Sequence, residues 1–271
     1  IRANQKVITL TGGDTCAAEI LRALGENGLD QVRVTVGENL SYENERIVRG
    51  TVEELSNETF DPLAVVMVEN PAAADALTTH GFSDEAFIRG DVPMTKMEVR
   101  ALTLSKLALT KGSVCWDIGA GTGSVSIEMA LRSEDGAVFA VEKNEEACRL
   151  IQKNQRRFAV TNLRIIRGTA PDVLSDLPTP SHVFIGGSDG QLRRILEIAL
   201  ERNPEARIVI NTVTLETLAE AVETLKTLPV REVDFVQLNA ARARSLGRFH
   251  LMTAQNPVFI ISCTGSENDH D

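Results

Sequence analysis

The sequence predicts an α/β fold, a largely parallel sheet covered by helices on both faces and preceded by a smaller mixed unit. Three observations carry this. Apolar runs of strand length alternate with helical stretches from about Glu85 onward. Those runs are continuously apolar rather than alternating, as in strands buried on both faces. The chain has 271 residues, 43% of them hydrophobic, enough for one full core and a second small unit.

The elements follow in order. Over residues 1–70, "KVITLTGG", a helix from Thr15 to about Gly25, "VRVTVGENL", "IVRGTVEEL" and "LAVVMVE" make a small α/β unit of some three strands. "NPAAADALTTHGFSDE", with Pro71 and Gly81, reads as a linker over 71–84. The second domain spans 85–265. It opens with "TKMEVRALTLSKLAL", a helix that spaces Met97, Ala101, Leu104 and Ala108 along one face. Strand "SVCWDI" and helix "SVSIEMALR" come next, then "AVFAVE", "EEACRLIQKNQRRFA", "LRIIRG", "HVFIGG", "DGQLRRILEIALE", "ARIVIN" and "LETLAEAVETLKTL". The last two strands, "VREVDFVQL" and "PVFIISC", have no helix between them and predict an antiparallel hairpin at one edge. Residues 266–271 read as a disordered, solvated tail.

Composition narrows the function. A formal net charge of −10 opposes broad binding to nucleic acid or anionic membrane, which would need a basic face. Cys16, Cys115, Cys148 and Cys263 show no CxxC or His-rich spacing, so neither a metal site nor a disulfide framework is expected. Cys115 and Cys263 fall inside predicted strands, as small core residues. No apolar run approaches the ~20 residues of a membrane span, and Ile1 opens no signal-like segment, so a cytoplasmic compartment is expected.

The chemistry centres on "WDIGAGTGSVSIEMA", with Gly119, Gly121 and Gly123 where a strand feeds a helix. Glycines there let backbone turn sharply close to a ligand, and a helix N-terminus favours an anion. The spacing differs from the GxGxxG of dinucleotide sites, and no Gly-Lys-Ser/Thr follows as in a P-loop. Asp117 before the loop is awkward beside phosphate and suits an ammonium group. Glu142, ending the next strand, is placed to accept hydrogen bonds from both hydroxyls of a ribose. An amino acid joined to an adenosine satisfies both acids.

This pattern resembles the S-adenosylmethionine site of the seven-stranded class I methyltransferases, whose Rossmann-like sheet is the fold then expected. The resemblance assigns cofactor contacts to Asp117, Gly119, Ala120, Gly121, Thr122, Gly123 and Glu142, and lays Gly168, Thr169 and Ala170 of "RGTAPD" along the adenine. After the fourth strand stands "FIGGSDG", with no Asn/Asp-Pro-Pro-aromatic box of amino-group methylases, and no Pro-Cys of base carbon-5 methylases occurs.

"FIRGDVPMTKMEVRALTLSKL", "WDIGAGTGSVSIE", "RGTAPDVL", "FIGGSDG", "INTVTLET" and "NPVFIIS" resemble, in order, the decarboxylating carbon-15 methylases of cobalamin synthesis, from about Glu85 to Gly265. The family acts on a precorrin, a tetrapyrrole, and its related single-domain proteins form tetramers. By this resemblance Thr95 lies near the cofactor. The leading segment "CAAEILRALGENGLDQVRVTVGENLSYENERIVRGTVEEL" is similar to the second half of the carbon-5 tetrapyrrole methylase domain. Its first half is absent, so no carbon-5 methylation is expected of it. The family reaction implies no covalent nucleophile, metal or pyridoxal group; positioning supplies most of the catalysis.

Gly186, Gly187 and Ser188 form either a substrate-facing floor or, through Ser188 or Asp189, a helix N-cap. Asn211 and Thr212 end the fifth strand at the ligand edge, with turn formation as their ordinary role. His182 and Trp116 read as structural. Arg242, Arg244 and Arg248 lie in "FVQLNAARARSLGRFH", which contains no acid; a loop or short helix there would hold substrate carboxylates, or else serve as a solvated loop or subunit contact. Two other functions fit less well: a transfer-RNA methyltransferase of related fold, which the acidic charge opposes, and a cofactor-binding scaffold without turnover.

Overall fold

The structure, a computed structural model, describes residues 1, 4–12, 15–75 and 79–266. It divides into two compact units, Ile1–Thr79 with Arg156–Thr161, and His80–Gln155 with Asn162–Asp271. The tail expected at 266–271 lies, from 267 on, outside the described residues. Among those described, no helix is long and apolar enough to cross a membrane.

The first unit contains β1 (Lys6–Leu10), α1 (Ala17–Glu26), β2 (Arg33–Glu38), β3 (Arg46–Thr51), α2 (Val52–Leu55) and β4 (Ala64–Glu69). The sheet has four strands, not the three expected, in the order β1-β4-β2-β3 and antiparallel throughout. All four extended runs of the sequence form strands; β1, "KVITL", lies at the sheet edge with Ile8 and Leu10 exposed. β4 alternates buried and half-buried residues, so Ala64, Val66 and Val68 meet Leu21 and Leu24 of α1 in one core.

The second unit runs α3 (Met97–Leu107), β5 (Val114–Ile118), α4 (Ser124–Arg132), β6 (Ala137–Glu142), α5 (Glu145–Arg157), β7 (Leu163–Arg167), β8 (His182–Ile185), α6 (Leu192–Arg202), β9 (Arg207–Thr212) and α7 (Leu215–Leu225). It ends with β10 (Val230–Leu238), β11 (Ala241–Leu246), β12 (Phe249–Ala254) and β13 (Val258–Gly265). Its seven-stranded sheet is ordered β10-β13-β9-β8-β5-β6-β7. The five strands from β5 to β9 are parallel, and β13 pairs antiparallel with both β9 and β10, giving the expected edge hairpin. Only a short 3-10 turn, Leu174–Asp176, stands between β7 and β8. The chain leaves β5 toward β6 and β7, then returns to β8 and β9, so order reverses between β5 and β8. Ligands of such sheets bind at that point, beyond the carboxyl ends of the strands.

Trp116 and Ile118 of β5, Val183 and Ile185 of β8 and Ile208 and Ile210 of β9 share one core with α6, which contributes Leu192, Ile195, Leu196 and Ala199 at helical spacing. Burial of each large side chain contributes about 1.5–3 kcal/mol. The Trp116 indole N–H donates to the Pro178 carbonyl at 3.0 Å, so the largest core side chain leaves no polar atom unpaired.

The helix α3 departs from its expected face. Val99, Arg100, Thr103, Leu104 and Leu107 are buried, whereas Met97 and Ala101 are half-buried and Ala108 caps the helix in a left-handed conformation. The reason is Arg100, which hydropathy assigns to the surface. Its guanidinium is fully buried, donating to Glu128 at 2.6 Å, to Asp84 at 3.4 Å and to the carbonyls of Thr95 and Phe82, with the Phe87 ring 4.6 Å away. The other bonds of Glu128 are accepted from the Gly81 and Phe82 amides at 2.6 and 3.2 Å. The linker read to residue 84 therefore gives way, from Gly81 on, to backbone held by this charge cluster.

Replacing Arg100 by Met leaves Glu128 buried without its cation, while Asp84 keeps Arg242 at 3.0 Å; the stranded Glu128 costs about 3–5 kcal/mol. Trp116 is the chain's one tryptophan and lies in this unit, so urea unfolding followed by its fluorescence reads the loss. A loss below about 1 kcal/mol would contradict the assignment.

Candidate functional site

The glycine loop joins β5 to α4 with φ of +74°, +57° and +75° at Gly119, Gly121 and Gly123, the left-handed region that other residues avoid. At Gly119 a Cβ would lie 2.8 Å from the Gly187 carbonyl oxygen, and at Gly121 3.0 Å from that of Pro93. The glycines thus let the loop press against protein backbone on two sides. Its amides are committed too: Gly119 and Ala120 donate to the Val141 carbonyl at 3.0 and 3.2 Å, Gly121 to Glu142 Oε2 at 2.9 Å, and Gly123 to the Ala120 carbonyl at 2.9 Å. A loop whose N–H groups are used this way is no phosphate cradle.

Glu142 ends β6 half-buried, and its other oxygen accepts the Asn144 amide at 2.8 Å. Each carboxylate oxygen keeps a lone pair for a ligand. Two cavities share this residue. The larger, about 1020 Å³, is walled by 91–96, 119–121, 186–190 and 210–214, with Gln255 and Asn256. It reaches the upper end of the roughly 300–1,000 Å³ typical of ligand pockets. The smaller, about 200 Å³, is bounded by 118–119, 141–143, 168–170 and 187–189. Both sit at the carboxyl ends of β5, β6 and β8, where strand order reverses.

Of the residues expected at the cofactor, Thr95, Gly119, Ala120, Gly121 and Glu142 line the larger cavity, and Gly168 and Ala170, with Gly119 and Glu142, line the smaller. Gly186, Gly187, Asn211 and Thr212 also line the larger one. Thr122 and Gly123 line neither; they hold the turn. Asp117 is a correction. Strand alternation turns it away from Trp116 and Ile118 to the face under α4, where the Ser126 hydroxyl donates to it, and it is fully buried. Burial pushes its carboxyl up to about 7, the Glu142 charge adding to the rise and the Ser126 bond opposing it.

Neither Ser188 nor Asp189 caps α6, which starts at Leu192 after Gln191; Asp189 instead pairs with Lys143 at 2.6 Å. Asn211 is oriented by donating to Thr103 Oγ1 at 2.8 Å, and Thr212 makes the turn bond to Thr214. His182 is bonded to Ser181 at 2.8 Å, and burial lowers its pKa.

The three arginines occupy a β-ribbon, not a loop or short helix: β11 and β12 pair antiparallel from Ala241↔Ala254 to Leu246↔Phe249. The segment has no acid of its own, yet acids come from elsewhere. Arg242 forks onto both oxygens of Glu98 at 2.9 and 2.7 Å and reaches Asp84 at 3.0 Å. That hydrogen bond holds the Glu98 carboxyl below its ordinary pKa. An arginine so engaged does not fit the substrate role expected of it. Arg244 and Arg248 are exposed, Arg248 lying 5.0 Å over the Phe249 ring, and none of the three lines either cavity.

Sequence reasoning missed the residues that fix the walls. Asn154 of α5 accepts from the Ile88 amide at 2.7 Å and donates to the Ile88 and Thr122 carbonyls at 3.1 and 3.0 Å, tying the glycine loop to the segment before α3. Its position in register with the buried Ala147, Leu150 and Ile151 was the available signal. Arg100 carried the same signal, a charge on an apolar face.

A family model described as the precorrin methyltransferase domain matches residues 85–264. A relative from Pyrobaculum calidifontis, named a probable cobalt-precorrin-6B C(15)-methyltransferase (decarboxylating), is 45% identical over 68% of this chain and 95% of its own. The cobalt-precorrin-6B C(15)-methyltransferase (decarboxylating) of Salmonella typhimurium is 42% identical over 68% of this chain and 96% of its own. The crystal structure of precorrin-6y C5,15-methyltransferase from Geobacter metallireducens GS-15 superposes with a TM-score of 0.65 at 40% identity, over 68% of this chain and 97% of that one.

The raised pKa of Asp117 makes stability pH-dependent. Its folded value, about 7, exceeds the 3.8 of the free group, so its contribution is complete below pH 4 and is lost as pH rises toward 7. Asp117→Asn removes this slope. Over pH 5 to 8, urea unfolding followed by Trp116 should show the variant gaining on the parent by about 2–3 kcal/mol, nearly all of it between pH 5 and 7. A difference that does not change with pH would contradict it.

Proposed function

The chain belongs to the precorrin methyltransferase family over residues 85–264, and on that premise we propose that it methylates carbon 15 of a precorrin and removes carbon dioxide from an acetate side chain. The observation that carries the proposal is the pair of cavities meeting at Glu142. The residues present fit S-adenosylmethionine: a half-buried carboxylate with free lone pairs, a small adjoining pocket at 168–170, and a loop whose committed amides offer nothing to a phosphate. Glu142 would hold the ribose, Gly168, Thr169 and Ala170 the adenine, and Thr95 with Gly119, Ala120 and Gly121 the methionyl end. When bound, the cofactor supplies a methyl group on a cationic sulfonium.

Against it the chain's own residues orient and exclude water. Gly186 and Gly187 present backbone without side chains at the β8 end, which suits close approach of a flat macrocycle. Asn211, fixed by Thr103, and Thr212 border the same space. Such positioning lowers the barrier to an in-line transfer without a covalent nucleophile. The ribbon's foot, Gln255 and Asn256, reaches the cavity, while Arg244 and Arg248 stay exposed farther along the ribbon and line neither cavity.

Two outcomes test this. Incubated with S-adenosylmethionine and either precorrin-6B or its cobalt form, the protein should give a product that by mass spectrometry has gained one methyl group and lost one carbon dioxide; unchanged substrate in both reactions would sink the reading. In calorimetry, Glu142→Ala should weaken S-adenosylmethionine binding by about 1–3 kcal/mol. Equal affinities would remove Glu142 from the site.

A further inference from the structure

Lys96 lines the larger cavity and, among the described residues, is the one lysine or arginine that does so. The acids around it are partly accounted for: Glu142 is held by two amides, and Asp189 is neutralised by Lys143. Among the described residues, the Lys96 amine has neither an ion pair nor a hydrogen bond. Lys96 as a residue is half-buried, and the described residues give its amine no acceptor.

Its place in the chain makes the point sharper. Lys96 is the N-cap of α3, in extended backbone, and its side chain makes no capping bond. Lysine is a poor choice there. Ser, Thr, Asp or Asn would accept an orphan amide, and a cation is repelled by the positive end of the helix dipole. The backbone under it is nevertheless rigidly set, since its carbonyl accepts the Arg100 amide at 2.8 Å while the neighbouring Thr95 carbonyl accepts from the Arg100 guanidinium. A residue that breaks the local rule on a fixed wall of a cavity is the kind of site where stability is exchanged for binding.

We propose that Lys96 is the carboxylate-binding cation of this cavity. The inference rests on the functional reading above, which brings two carboxylate sources into the cavity: the methionyl carboxylate of the cofactor and the carboxylates of the precorrin. The ammonium offers three donors and a full charge to either. The partner is a carboxylate that stays. Pairing the departing acetate would stabilise the ground state more than the charge-dispersed transition state and slow its loss.

The test uses the full chain with Lys96→Ala, Lys96→Arg and Lys96→Thr. Three ligands are titrated: S-adenosylmethionine and decarboxylated S-adenosylmethionine by calorimetry, and uroporphyrin, a polycarboxylate tetrapyrrole, by fluorescence in the presence of S-adenosylhomocysteine. If the cofactor carboxylate is the partner, Lys96→Ala raises Kd for S-adenosylmethionine about tenfold and leaves the decarboxylated form unchanged. If the macrocycle is, uroporphyrin binding falls about tenfold and both cofactors are unaffected. In either case Lys96→Arg restores much of the loss, and Lys96→Thr, a good N-cap, raises the Tm of the ligand-free protein while weakening the same ligand. Unchanged binding of all three ligands by Lys96→Ala overturns the inference, as does a lowered Tm in Lys96→Thr. A parent that binds S-adenosylmethionine while Lys96→Ala changes nothing sinks this inference alone; a parent that binds none of the three sinks the functional reading as well.

Discussion

A guanidinium with no exposed atom must find a partner for every N–H inside the protein, and Arg100 finds them on three different pieces of chain. Glu128 belongs to α4, Asp84 and Phe82 to the segment entering the domain, and Thr95 to the wall of the larger cavity. The charge pair therefore ties the entrance segment to the helix that begins at the glycine loop. Neither could shift without stranding a buried charge, and the cavity wall between them, 91–96, takes its position from both.

The loop itself is built on the same economy. Its N–H groups bond to Val141, Glu142 and Ala120, and its glycines admit the backbones of Gly187 and Pro93 where side chains would collide. What the loop leaves for a ligand is surface shape, with the Glu142 carboxylate beside it. That set suits a sugar hydroxyl pair on a cationic cofactor far better than a phosphate. Lys96, on the wall that Arg100 fixes, supplies the opposite charge across the same space.

The parallel sheet was legible because strands buried on both faces read as unbroken apolar runs, and the edge hairpin because no helix separates its members. Gly119, Gly121 and Glu142, which line the cavities, stood out through the spacing of glycines and acid about strand ends, whereas Gly168 and Ala170, which line the smaller one, came from the family resemblance. Three features were not. The buried face of α3 is masked by Arg100, whose burial depends on Glu128, 28 residues away in sequence. Asp117 faces α4 because strand alternation, not proximity to the loop, decides where a side chain points. Arg242 pairs with Glu98 and Asp84, whose sequence separations of 144 and 158 residues no local charge count can register.

The central claim is that a single adenosyl ligand spans the two cavities across Glu142. A crystal structure of the chain with S-adenosylhomocysteine tests it most directly. The account predicts both ribose hydroxyls on the Glu142 carboxylate, the adenine beside Gly168, Thr169 and Ala170, and the homocysteine end between Thr95 and the glycine loop. A ligand seated elsewhere, or a Glu142 still bonded only to the Gly121 and Asn144 amides with the ligand present, would contradict it.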